Sequence, residues 1–122
     1  MYTYDQPIQI SYRFAALTLS SAATIGRLSG PSGRAGRVLA ITGIVTTGTT
    51  VAPSVLTVDT VAGLTNPASV TVPVLSANAP FGSTQAETEG ADELPADTEI
   101  ILVTDGGSTA GAADVTVTVG WF

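Results

Sequence analysis

The chain has 122 residues, 44% apolar and only 11% charged, with four arginines, no lysine, ten acidic residues and a net charge of −6. That length fits one domain spanning 1–122, and the apolar share can bury a core, whereas a disordered chain would carry more charge and less apolar content. The acidic balance argues against non-specific nucleic-acid binding and against a polybasic membrane anchor, while the lack of Cys and His removes disulfides, thiolate nucleophiles and the commonest general base and metal ligand.

The chain opens MYTYDQPIQI, with no basic run ahead of a long apolar stretch, so no signal peptide is expected and residues 1–7 read as an N-terminal arm. No apolar run approaches the roughly 18 residues of a membrane-spanning helix. PIQISYRF (7–14) sets Ile8, Ile10, Tyr12 and Phe14 on one face and Gln9, Ser11 and Arg13 on the other, the period of a half-buried strand. Leu17 and Leu19 then alternate with Thr18 and Ser20, as a second strand or a short strand running into a loop.

GRVLAITGIVTT (36–47) is rich in β-branched residues, and Gly43 within it suggests a bulge or bend. SVLTVDTV (54–61) places Val55, Thr57 and Asp59 opposite Leu56 and Val58. SVTVPVLSA (69–77) alternates too, but Pro73 cannot donate to a ladder, which predicts an edge strand or a bulge. STQAETEGADELPADTE is acidic and broken by Gly90 and Pro95, so 83–98 reads as a loop with at most one helical turn. TEIILVT (98–104) and DVTVTVGWF (114–122) are the last strands, and the glycine-rich DGGSTAGAA between them reads as a hairpin loop. Six to eight strands with frequent turns predict an all-β fold: a single-domain antiparallel β-sandwich, jelly-roll-like, or a small barrel.

RLSGPSGRAGR (27–37) holds three of the four arginines, Arg27, Arg34 and Arg37, interleaved with Gly30, Gly33 and Gly36. A phosphate-binding P-loop needs a lysine and a following helix; this stretch has no lysine and leads into a strand. Two readings stay open. One is a turn-rich connection with solvated arginines. The other is a basic docking loop whose guanidinium forks pair with carboxylates of a protein neighbour.

The acidic residues Glu87, Glu89, Asp92, Glu93, Asp97 and Glu99 lack the order of an EF-hand calcium loop and read as a solvated acidic loop. That loop can also meet Arg34 or Arg37 of a second copy, head to tail. No Ser-His-Asp or Cys-His set is possible, so no enzyme, cofactor or metal is expected. The alternating, aromatic-ended VTVTVGWF is slightly like a strand of an outer-membrane barrel, but the chain has too few aromatics for two girdles. Trp121 and Phe122 are instead expected to close the core or to make a contact between subunits.

The Thr/Ala/Gly/Val-rich, cysteine-free texture, with the phrases GPSGRAGRV and DVTVTVGWF, resembles small bacteriophage head proteins of the decoration, or cement, class. The resemblance implies a virion protein made in the host cytoplasm. It would bind the major capsid protein on the outer surface of an icosahedral shell, often as a homotrimer, and brace the shell through repeated contacts. Arg27, Arg34, Arg37, Trp121 and Phe122 are the candidate interface residues, facing the capsid or a neighbouring subunit. The alternative is an adhesion or carbohydrate-binding sandwich, such as a phage fibre tip, which would need its aromatics exposed together on one face.

Overall fold

A computed structural model describes residues 8–64, 67–84 and 93–122. Its elements are β1 (Ile8–Thr18), β2 (Ala23–Leu28), β3 (Gly36–Thr47), β4 (Ser54–Thr60), β5 (Ala68–Val72), β6 (Pro80–Thr84), the two-residue β7 (Glu93–Leu94), β8 (Ile100–Thr104) and β9 (Ala112–Trp121). The described residues contain no helix. One sheet runs β1-β9-β3-β6, with β7 also on β3, and the other runs β2-β8-β4-β5; every pairing is antiparallel.

The order has a simple logic. β1 pairs β9, β2 pairs β8, β3 pairs β6 and β4 pairs β5. The chain is thus one long antiparallel ribbon folded back at the β4–β5 turn. It is wound so that successive pairs fall in alternate sheets and sealed by β3 on β9 and β4 on β8. That winding is a jelly roll.

Alternation decides which side chains enter. In β9, Ala113, Val115, Val117, Val119 and Trp121 are buried while Asp114, Thr116 and Thr118 face out. Ser54, Leu56, Val58 and Thr60 of β4 and Ala68, Val70 and Val72 of β5 do the same for the second sheet. Each sheet buries one face, as the period of two requires.

Several expectations are corrected. Leu17 and Thr18 belong to β1, beyond a bulge between Phe14 and Leu17, and the second strand is 23–28. The extra residue switches parity, so the inward set moves from Tyr12 and Phe14 to Leu17. Ala16 takes φ of 54° there and gives its N–H to Asp114 Oδ1 at 2.8 Å, while Arg13 holds the other carboxylate oxygen at 3.2 Å.

β3 bulges near Leu39 and Thr46 rather than at Gly43. Gly43 sits in register beneath Phe81, and a Cβ on it would lie 2.4 Å from the Asp114 carbonyl oxygen. β5 is an edge strand, as Pro73 predicts, but stops at Val72. The expected acidic loop 83–98 gives Ser83 and Thr84 to β6 and Glu93 and Leu94 to β7; residues 85–92 lie outside the described ones, as does the 1–7 arm.

The expected β8–β9 hairpin does not form. β8 and β9 lie in different sheets, and 105–111 crosses between them. A hydroxyl chain holds that crossing: the Ser108 N–H donates to Ser54 Oγ at 3.0 Å, and Ser54 Oγ donates to the Leu19 carbonyl at 2.9 Å. Ser54 is fully buried, so its loss strands the Ser108 N–H and the Leu19 carbonyl. Ser54→Ala is expected to lower unfolding free energy by about 1–3 kcal/mol, read as a lower urea midpoint at unchanged slope.

Candidate interaction surface

The sandwich has two unlike ends. At one lie the β2–β3 connection (29–35), the β4–β5 turn, the β7–β8 connection (95–99) and Phe122. This end carries Arg27, Arg34 and Arg37. At the other lie the loops 19–22, 48–53, 73–79 and 105–111, whose only charged side chain is Asp105.

RLSGPSGRAGR is divided by the fold. Arg27 and Leu28 end β2, Gly36 and Arg37 begin β3, and only 29–35 connects them. The glycines have separate reasons. A Cβ on Gly30 would sit 2.5 Å from the Trp121 ring, and one on Gly36 would also sit 2.5 Å from it. The indole therefore lies against two bare backbone segments. Its Nε1 donates to Tyr12 Oη at 3.0 Å, and Tyr12 Oη donates to the Ser29 carbonyl at 3.1 Å. Gly33 has a different task. With φ of +76° it occupies the left-handed position of a turn closed by the Arg34 N–H on the Pro31 carbonyl at 3.2 Å, and its own N–H is held by Asp97 Oδ1 at 2.8 Å.

Of the five candidate interface residues, Trp121 is only 1% exposed and serves this chain's own core, so its ring has no face left for a partner. Phe122 is 54% exposed, with its N–H bound to the Ala35 carbonyl at 2.8 Å. Arg27 forms an exposed ion pair with Glu99. Such a pair is worth at most about 1 kcal/mol. Arg37 stands opposite Glu93 in the β3–β7 register, and Arg34 lies in the connecting turn.

Two concavities open at this end. A polar one is lined by Arg27, Ser29, Ser32, Asp97, Thr98 and Glu99. An apolar recess of about 430 Å³ is lined chiefly by Leu64, Leu94, Pro95 and Phe122, with Arg37 and Glu93 beside them.

The other end is a lattice of hydroxyls. Thr49 Oγ1 donates to the Pro73 carbonyl at 2.8 Å and accepts the Leu75 N–H at 2.7 Å. The Thr50 N–H donates to Ser108 Oγ at 2.9 Å, and the Thr50 and Thr109 hydroxyls are 2.7 Å apart. Sequence reasoning passed over this end, because its residues are neutral and small and carry no motif.

Most described carboxylates brace the backbone or an arginine. Asp59 accepts the N–H groups of Thr60 and Leu64, Asp105 those of Val55 and Gly107, Asp97 that of Gly33, and Asp114 that of Ala16. Among the described residues no three acidic side chains gather as a metal site. The aromatics are occupied too: Phe14 lies on Gly26 and Phe81 on Gly43, so Phe122 is the one exposed aromatic among the described residues. No family model matches the chain, and no curated protein or solved structure matches it.

The two glycine roles are separable by substitution. Gly36→Ala is expected to destabilise by about 1–3 kcal/mol through overpacking, with a changed near-ultraviolet signal from the displaced indole. Gly33→Ala has open space and is expected to cost about 1 kcal/mol through its backbone alone, leaving that signal intact.

Proposed function

We propose that the protein is a structural virion component of the decoration class, seated on the outer surface of a phage capsid and stabilising the head through repeated protein–protein contacts. The observation that carries the reading is the charge-poor, hydroxyl-bonded end of the sandwich, four loops with Asp105 as their single charge. Interface cores are depleted of charge, whereas the free surface of a soluble domain normally keeps it.

The rest of the molecule fits an assembly role. No buried polar side-chain atom among the described residues lacks a partner, so the domain is stiff. Most of its described carboxylates are spent on backbone and arginine contacts. Arg27 and Arg34, at the arginine end, are the groups proposed to meet carboxylates of the major capsid protein, Arg27 by exchanging its exposed pair with Glu99. Homotrimerisation belongs to the same proposal, with the apolar recess beside Phe122 left to a neighbouring subunit. Each contact can be modest, because a symmetric lattice repeats it and avidity multiplies the hold.

Jelly rolls serve both capsid and lectin domains, so the winding alone does not choose between virion and sugar-binding roles. The sugar-binding alternative has no exposed aromatic platform among the described residues to favour it.

The test is co-sedimentation with expanded, empty phage heads, combined with their thermal melting. Added protein is expected to saturate the heads and raise their melting temperature. An Arg27→Glu, Arg34→Glu double variant is expected to bind at least about tenfold more weakly, as loss of two charge-assisted contacts implies. Undiminished occupancy by the double variant would remove the arginines from the interface. No binding by the wild-type chain to any head would remove the virion reading itself.

A further inference from the structure

We infer that two copies of this chain associate head to tail, with Val51 at the charge-poor end of one copy entering the apolar recess beside Phe122 at the arginine end of the next. The inference is independent of any capsid and concerns the chain alone in solution.

Val51 is the starting point. Its φ is +74°, a conformation that β-branched residues almost never take. The Ala52 N–H reaches back to the Thr50 carbonyl at 2.9 Å, so Val51 is the centre of a γ-turn of the rare, strained, positive-φ kind. The residue is 81% exposed, more than any other large apolar residue described.

Glycine or asparagine would suit this backbone better, and the fold gains nothing from an isopropyl group held in water. The surroundings nevertheless hold the turn in place. The Thr50 N–H is fixed by Ser108 Oγ, the Thr50 carbonyl also takes the Thr109 N–H at 3.2 Å, and the Thr49 N–H holds the Leu75 carbonyl at 2.9 Å. Strain maintained by a fully bonded frame around an exposed apolar knob is what a preorganised contact requires.

The chemistry of the recess points to a second copy as the occupant's source. It is apolar where a valine would enter, and about 430 Å³ leaves room for the side chain and the turn that carries it. Charge does not oppose it. The single charge at the knob end is Asp105, and the rim of the recess carries Arg37 and Glu93, which stand opposite each other in the β3–β7 register and sum to no net charge. Knob and recess sit at opposite ends of one chain, so the contact is heterologous and yields a closed ring or a growing filament.

The experiment is sedimentation equilibrium of the full chain over a wide concentration range. The wild-type mass is expected to rise with concentration, levelling at a ring or continuing as a filament. Val51→Gly is expected to weaken association by about tenfold or more, the effect of losing one buried valine contact. The same variant is expected to keep or raise its urea midpoint, because glycine relieves the turn. A merely structural Val51 would not separate the two readouts in this way.

If Val51→Gly lowers the urea midpoint instead, Val51→Asn, which tolerates positive φ, is the variant scored for association. Phe122→Asp is expected to weaken association from the recess side. An equimolar mixture of Val51→Gly and Phe122→Asp keeps one good knob and one good recess, and is expected to stop at dimers. A wild-type chain that stays monomeric throughout overturns the inference. So does wild-type association by Val51→Gly. Loss of association on deleting residues 1–7, with Val51→Gly unaffected, also overturns it and assigns the recess to that segment.

Discussion

The Trp121 indole against Gly30 and Gly36 is the contact on which the arginine end depends. A large ring at the last residue of the last strand can be buried only if something thin lies over it. Bare backbone at two glycines supplies that, and Tyr12 completes the enclosure by taking the indole N–H. β1, the β2–β3 connection, β3 and β9 are thereby tied at one point. The same solution recurs with Phe14 over Gly26 and Phe81 over Gly43. Aromatic rings covering strand glycines recover the side-chain packing that a glycine forgoes in a sheet.

The two ends differ because the winding gives them different tasks. At the arginine end, the winding brings Glu99 to Arg27 and Asp97 to the Gly33 N–H, so both carboxylates are held within the chain. At the opposite end the loops must pass between sheets, and a crossing loop has backbone groups that no ladder satisfies. Serine and threonine hydroxyls answer that need, since each is both donor and acceptor in little space. The neutrality of this end is thus first a solution to backbone bonding. It also leaves a surface without the charge that would keep a neighbour away.

Strands whose one face is buried were legible in the sequence. β4, β5 and β9 alternate cleanly, and the start of β1 follows the same rule until a bulge changes its parity. β6 was not legible, because PFGST has no alternation and becomes a strand only through pairing with β3. The glycines of 105–111 announce a turn but not which strands it joins, and a hairpin and a crossing look alike locally. At the candidate surface, the arginine cluster was visible as a cluster. Its division between two strands and a turn was not, nor was the presence of Glu99 and Asp97 within reach, because these contacts span more than sixty residues. Nothing in TTVAPS marks Val51, since backbone strain imposed by neighbouring loops leaves no trace in residue type.

Strain and neutrality bear on each other at the charge-poor end. A loop free to relax would rotate Val51 out of the left-handed region, at a gain of roughly 1–3 kcal/mol. It is prevented by bonds made to Thr49 and Thr50, the two residues immediately before it, from two other segments of the chain, 73–75 and 108–109. The hydroxyl lattice that satisfies the crossing loops is therefore the same structure that holds the knob erect. A substitution in that lattice should act twice, once on stability through a stranded backbone group and once on whatever Val51 touches. Stability and contact at this end have one physical origin, so a valine ill suited to its own backbone can persist where an isolated γ-turn would favour glycine.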